Sequence, residues 1–131
     1  MGKKLENKRI LLVEDDEQIS KMYSKCFSAE GATVLLAYDG NQGLELLKQE
    51  KIDLILLDLG MPGMDGYEMF HILKEDPNTK DIPVVILSNT TMNEKRKEFQ
   101  EILDKGVQDI FRKYEMSLGD LMGQLQHYFK S

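Results

Sequence analysis

The sequence predicts an α/β fold in which helices cover both faces of a parallel β-sheet. Short apolar segments alternate along the chain with longer segments of helical period, which is the pattern of repeated βα units. The segment Ile52–Leu57 is apolar at every position except Asp53, as expected for a central strand that is covered on both sides. With 131 residues and a mass of 15.1 kDa, the chain fits one domain. We therefore predict a three-layer sandwich built from five βα units.

Each unit consists of a short strand followed by a helix. The strands are predicted near residues 9–13, 33–37, 53–57, 83–87 and 108–112, and the helices near residues 17–30, 41–50, 66–75, 93–104 and 117–129. Gly31 and Gly106 follow the first and fourth helices, where glycine commonly ends a helix. In the last helix, Gly119 and Gly123 each lower helix stability by roughly 1 kcal/mol relative to Ala, so that helix depends on docking through an apolar side. That side comprises Leu118, Leu121, Met122, Leu125 and Phe129.

Composition excludes several classes of protein. The net charge is −6 and the sequence has no basic stripe or Lys/Arg cluster interleaved with aromatic residues, so we expect no nucleic-acid partner. The apolar segments are much shorter than the ~20 residues of a membrane span, and the N-terminus lacks a signal peptide, which predicts a cytoplasmic protein that does not bind membranes. The single cysteine, Cys26, cannot form an internal disulfide. It shares a helical face with Ile19, Met22 and Phe27, which predicts a buried thiol.

Polar side chains follow four of the predicted strands. Glu14-Asp15-Asp16 follow the first strand, Asp58 the third, Ser88 the fourth and Lys113 the fifth. In an open parallel sheet these ends meet at one edge, where ligands bind. Taken alone, the acids could form a solvated loop, the serine could cap a turn and the lysine could be a surface residue. Their joint placement at one edge favours a functional site.

The chemistry of this set indicates a metal and a phosphoryl group. Clustered carboxylates require a proton or a cation, and oxygen ligands favour Mg²⁺ over zinc or copper. Asp15, Asp58 and a phosphoryl oxygen could together bind that ion. Lys113 could pair with the phosphoryl charge, and Ser88 could donate a hydrogen bond to another phosphoryl oxygen. Since a carboxylate is a competent nucleophile, Asp58 could form an aspartyl-phosphate.

At this point the sequence resembles the receiver domain of two-component response regulators, from about Arg9 to Phe129. The acidic pair of that family appears in the segment Leu12–Asp16, and its phosphoacceptor motif in the segment Leu57–Gly66, Leu-Asp-Leu-Gly-Met-Pro-Gly-Met-Asp-Gly. The family's hydroxyl residue matches Ser88, and its lysine matches Lys113. The resemblance covers nearly the whole chain, and its motifs are specific in combination.

The resemblance implies a flavodoxin-like fold with strand order 2-1-3-4-5 and a single receiver domain over residues 9–131, preceded by a flexible segment over residues 1–8 and without an output domain. It implies that Asp58 accepts a phosphoryl group from a histidine kinase or a phosphotransfer protein. The implied Mg²⁺ ligands are Asp15, Asp58, the Gly60 carbonyl and, through water, Glu14. Ser88 and Lys113 would hold the phosphoryl oxygens.

Such a chain is expected to be a signalling protein rather than an enzyme, although it catalyses its own aspartyl phosphorylation and dephosphorylation. No organic cofactor is expected. The resemblance implies that the fourth helix, fifth strand and fifth helix contact a downstream protein target, with Met116 and Tyr128 as candidate anchors. The expected state is a monomer or a weak dimer that depends on phosphorylation.

Three positions depart from the family pattern. Lys113 is followed by Tyr114 where the family usually has a proline after a cis peptide bond, and Asn89 stands where a small alanine is usual. Ile110 replaces a Tyr or Phe that turns inward on switching; the neighbouring Phe111 should face the opposite side of the sheet.

Two other classes remain open from sequence. The departures at Tyr114 and Ile110 favour an interaction module that signals without phosphorylation. A flavodoxin-like cofactor binder or an Mg²⁺-dependent phosphohydrolase is disfavoured by the acidic first loop and by the lack of a Gly-rich phosphate cradle.

Overall fold

The computed structural model describes residues 5–61, 64–88, 97–113 and 117–128. The strands are β1 (Arg9–Val13), β2 (Thr33–Ala37), β3 (Leu54–Asp58), β4 (Val84–Ser88) and β5 (Asp109–Arg112). The helices within these residues are α1 (Glu17–Ala29), α2 (Gly40–Gln49), α3 (Gly66–Glu75), α4 (Lys97–Lys105) and α5 (Leu118–Tyr128). All four strand pairs are parallel, and the sheet order is β2-β1-β3-β4-β5. The predicted fold class and strand order are confirmed.

The sheet separates two apolar clusters, because successive side chains of a strand point to opposite faces. Ile55 and Leu57 of β3 pack toward α2, α3 and α4. Leu54 and Leu56 pack toward α1 and α5, where Leu121, Met122 and Leu125 of α5 are also buried. All five residues of β3 are buried, as predicted for the central strand. This strand therefore carries Asp58 from the middle of the core to the edge of the sheet.

The third strand lies one residue later in the chain than predicted, because Asp53 has another partner. Its Oδ2 atom accepts a hydrogen bond of 2.8 Å from the Arg9 backbone N–H, which places Asp53 just before β3. At its other end, Asp58 pairs with Leu87 of β4, so strand β3 ends on Asp58 itself. Strands β4 and β5 also begin one residue later than predicted. Of the predicted fourth helix, residues 93–96 lie outside the described residues.

Aspartates begin the helices α1, α2 and α3, and glycines follow the ends of α1 and α4. The side chains of Asp16, Asp39 and Asp65 accept hydrogen bonds from backbone N–H groups in the first turns of α1, α2 and α3. Gly31 and Gly106 have φ angles of 96° and 94°, a conformation that glycine adopts at little cost. The two predicted helix ends are therefore confirmed.

The buried stripe of α1 differs from the predicted one. Ser20, Tyr23 and Phe27 are buried, whereas the side chain of Met22 is 50% exposed and Cys26 is half-buried. The prediction of a buried thiol is therefore wrong. The helix is rotated so that its two aromatic rings, 5.9 Å apart, enter the core.

The chain before β1 also packs against the domain. Leu5 is fully buried, and its N–H donates to the carbonyl of Glu30 at the end of α1. The Asn7 N–H donates to the carbonyl of Gly31. The sequence pattern did not anticipate that Leu5 enters the core. None of the helices in the described ranges has the length and apolar composition needed to span a bilayer.

Candidate functional site

Two buried carboxylates lie at the carboxyl edge of the sheet. Glu14 follows β1 directly; its N–H donates to the Ala37 carbonyl (3.0 Å), and its own carbonyl accepts from the Ser20 hydroxyl (3.2 Å). Asp58 is the last residue of β3 and is only 3% exposed. The backbone contacts on both sides of Glu14 fix its position at the end of β1, so its side chain is held beside that of Asp58.

The ammonium group of Lys113 lies between these carboxylates. Its Nζ atom is 2.9 Å from Oε1 of Glu14 and 3.5 Å from Oδ1 of Asp58. All three side chains are at most 5% exposed. Lys113 follows β5, so residues 99 positions apart in sequence form the shorter of the two ion pairs. One ammonium group therefore serves two buried carboxylates.

Burial of these side chains raises the pKa of both acids. Burial, followed by the charge of Asp58, raises the pKa of Glu14 to about 7, although Lys113 lowers it in part. Burial also raises the pKa of Asp58, again against the effect of Lys113. A second cation beside the two carboxylates would favour their ionised forms.

A third carboxylate, which is exposed to solvent, lies beside the two buried ones. Oxygen atoms of Glu14, Asp15 and Asp58 lie within 4.8 Å of one another, and Asp15 is exposed whereas the other two are buried. The ligand atoms are all carboxylate oxygens, which suit a hard divalent cation. On the neighbouring loop, the exposed Gly60 donates its N–H to Oδ1 of Asp58 (3.2 Å). The cluster thus has the composition and the opening of a divalent-metal site.

The remaining predicted site residues lie on the same edge or outside the described residues. Ser88 ends β4 next to Arg112 of β5, and its side chain lies outside the described part. Asn89, Tyr114 and Met116 are outside it as well, as is the side chain of Tyr128.

The side chains of β5 alternate as predicted. Ile110 packs against the cluster beneath α3 and α4, whereas Phe111 is buried in the cluster beneath α1 and α5. The prediction that Phe111 faces away from the position of Ile110 is therefore confirmed.

Two residues that support the site were not recognised from sequence. Ser20 is fully buried and holds the backbone of Glu14; a small polar residue on the inner face of α1 was the only signal. Gly66 packs against the backbone of Asp58 and Leu59. Its place in the Asp-Gly pair that begins α3 gives no indication of that contact. The direct pairing of Lys113 with Glu14 was also not predicted.

Sequence comparisons connect this geometry to a known family. Residues 10–126 match the response regulator receiver domain. The chain is 36% identical over 114 residues to the Regulator of RpoS of Escherichia coli (strain K12), covering 86% of this chain and 32% of that protein. It is 41% identical over 80 residues to the response regulator PleD of Caulobacter vibrioides, covering 61% of this chain and 18% of that protein. The chain therefore aligns with only about a third or less of the length of these two relatives.

Solved structures share the whole fold. Chemotaxis protein CheY4 of Vibrio cholerae matches with a TM-score of 0.80 and 26% identity, covering 92% of this chain and 98% of that one. The Mn²⁺-bound form of response regulator Rcp1 matches with a TM-score of 0.73 and 29% identity, covering 92% and 90%. Both are similar to this chain in the arrangement of the sheet that carries the acidic cluster. The chain belongs to the response regulator receiver domain family, the receiver modules of two-component signalling.

Proposed function

We propose that this receiver accepts a phosphoryl group on Asp58 from the phosphohistidine of a histidine kinase or a phosphotransfer protein. The observation that carries the proposal is the position of Lys113, whose ammonium lies 3.5 Å from Asp58 inside a cluster of acids. A cation held beside a buried carboxylate serves the two needs of phosphoryl transfer, which are positioning and charge neutralisation. A purely structural ion pair would not require two further carboxylates at the same edge.

The acidic cluster fits Mg²⁺ as the accompanying ion. Asp15, Asp58 and the Gly60 carbonyl would hold it directly, and Glu14 would act through water. When bound, the ion neutralises the carboxylates and the incoming phosphoryl oxygens. A solved structure of the similar response regulator Rcp1 is an Mn²⁺-bound form, which supports a divalent ion in this proposal.

In the transfer step, a carboxylate oxygen of Asp58 forms a bond to phosphorus while the phosphorus–nitrogen bond of the phosphohistidine breaks. The electron pair of that bond returns to the imidazole, which then takes up a proton. Lys113 stabilises the ionised form of Asp58 beforehand and then pairs with a phosphoryl oxygen. The Ser88 hydroxyl would donate to another phosphoryl oxygen.

The response would pass to a downstream protein target through the surface formed by α4, β5 and α5. Lys113 links the acceptor to this surface, because it follows β5 and precedes α5. Movement of its ammonium from Glu14 toward a phosphoryl group would change the contacts at the end of β5. We propose a monomer, or a weak dimer formed on phosphorylation, as the active state.

The test is the intact mass of the chain after incubation with acetyl phosphate, with and without Mg²⁺. A single phosphoryl adduct that requires Mg²⁺ and is absent from Asp58→Asn supports the proposal. Asp53→Asn is the matched control, because it removes one carboxylate next to the opposite end of β3 and retains an oxygen for the Arg9 N–H. No adduct on the native chain, together with no beryllofluoride complex, would overturn the proposal in favour of a module that signals without phosphorylation.

A further inference from the structure

Gly66, the first residue of α3, is in direct contact with the backbone that carries Asp58. A Cβ atom at this position would lie 2.7 Å from Cα of Leu59, 2.9 Å from the carbonyl carbon of Asp58 and closer still to its carbonyl oxygen. All three atoms are backbone atoms, so no side-chain rotation can relieve the overlap. Gly66 is buried, and its N–H donates to the carbonyl of Leu59 (3.3 Å). Only a residue without a side chain fits here.

The requirement at Gly66 is for space and not for an unusual backbone conformation. Its φ angle lies outside the left-handed region, so alanine could adopt the same backbone. Two other helix glycines have more space for a side chain than Gly66 has. A Cβ atom at Gly43 would meet the flexible end of Met69 (2.8 Å to Cε), and one at Gly123 would meet nothing within 4 Å. These two positions provide controls for crowding and for helix propensity.

The segment beneath Gly66 cannot move away freely, because its other side is held by β4. The Leu59 N–H donates to the Leu87 carbonyl (3.3 Å), and the Leu59 side chain is fully buried. The Gly60 N–H donates to Oδ1 of Asp58 (3.2 Å). The backbone of residues 58–60 thus lies between β4 and the start of α3, and any atom added at Gly66 must displace it.

We infer that Gly66 is a positioning residue for the phosphoacceptor: by letting α3 contact the backbone of residues 58–60, it sets the positions of the Asp58 carboxylate and the Gly60 carbonyl. The inference rests on the proposed function, in which both groups bind Mg²⁺. Substitution of Gly66 is therefore expected to impair metal binding and phosphorylation in molecules that are still folded.

The experiment compares Gly66→Ala with Gly43→Ala and Gly123→Ala. Mg²⁺ affinity is measured by calorimetry and adduct formation by intact mass with acetyl phosphate, each corrected for the folded fraction. Since a misplacement of ~1 Å can cost ~10²-fold in rate, we expect Gly66→Ala to weaken Mg²⁺ binding and slow adduct formation by about 10- to 100-fold. Both controls are expected to stay within about twofold of the native chain. In the absence of metal, hydrogen exchange of the Leu59 amide should accelerate in Gly66→Ala alone.

Three outcomes would count against the inference. Native-like Mg²⁺ affinity and phosphorylation in Gly66→Ala would overturn it, and so would an equal loss in Gly43→Ala, which would indicate general crowding. If the native chain neither binds Mg²⁺ nor forms an adduct, the proposed function itself fails, and this inference fails with it.

A second pair of variants decides the matter if Gly66→Ala does not fold. Asp65→Ala and Asp39→Ala each remove one carboxylate and one N-terminal cap, from α3 and α2 respectively. Loss of the cap is expected to destabilise the two variants to a similar extent. Asp65→Ala should weaken Mg²⁺ binding severalfold more than Asp39→Ala, because only α3 begins against the acceptor backbone. Equal Mg²⁺ affinities for the two variants would overturn the inference.

Discussion

Replacing Asp58 by asparagine should stabilise the metal-free chain while abolishing phosphorylation. At an effective dielectric constant of about 20, Lys113 attracts the Asp58 carboxylate by about 5 kcal/mol across 3.5 Å. Glu14, whose oxygen lies no more than 4.8 Å away, repels it by at least about 3 kcal/mol. With Glu14 ionised, the net attraction is therefore at most about 1 kcal/mol, which is smaller than the several kcal/mol that burial of a charge costs. This balance agrees with the raised pKa of Asp58.

We therefore expect Asp58→Asn to increase the free energy of unfolding by about 1–3 kcal/mol at pH 7 in EDTA. Lys113 keeps its 2.9 Å contact with Glu14 in this variant, so no buried charge loses its only partner. The measurement is urea denaturation followed by circular dichroism, with and without Mg²⁺. A ligand at 100 times its Kd adds about 2.7 kcal/mol to stability, so Mg²⁺ should stabilise the native chain much more than the variant.

The result that would refute this reasoning is an Asp58→Asn chain that unfolds in EDTA at the same urea concentration as the native chain or at a lower one. That outcome would mean that the attraction of Lys113 exceeds the cost of burial. Asp53→Asn serves as the control, since Asp53 lies just before the opposite end of β3 and its replacement retains an acceptor for the Arg9 N–H. Its stability should stay within about 0.5 kcal/mol of the native value.

Three further predictions concern stability. Folding raises the pKa of Glu14 from 4.5 to about 7, so between these pH values the folded chain binds more protons than the unfolded chain, and the stability of the metal-free chain should fall as the pH rises. Urea denaturation at several pH values should show a flatter dependence of stability on pH for Glu14→Gln. An unchanged dependence would contradict the raised pKa of Glu14. Gly123→Ala should raise stability by about 1 kcal/mol in thermal denaturation, because the position is exposed and has open space; a loss of stability would show that α5 needs glycine there. Lys113→Met should lower the free energy of unfolding in EDTA by about 3–5 kcal/mol, since it removes the ammonium group that contacts two buried carboxylates. The control Lys48→Met, at an exposed lysine, should change the free energy of unfolding little. Equal losses in the two variants would refute the role of the buried ion pairs of Lys113.

Sequence pattern was sufficient for the fold class and for the edge of the sheet on which the site lies. Both depend on local information: apolar runs indicate strands, helical period indicates the segments between them, and parallel strands bring their carboxyl ends to one edge. The placement of Glu14, Asp58 and Lys113 directly after or at the end of β1, β3 and β5 follows from that rule alone. The helix ends at Gly31 and Gly106 were likewise local, because they depend on one residue and its φ angle.

Only tertiary packing decided how these segments meet. The start of β3 depends on the hydrogen bond from Arg9 to Asp53, and the exposure of Met22 depends on which face of α1 receives the sheet. The 2.9 Å contact of Lys113 with Glu14 and the absence of space for a side chain at Gly66 are distances between segments remote in sequence. Periodicity records which side of an element is apolar, but carries no information on the ångström-scale separation between elements, which arises when the whole core packs.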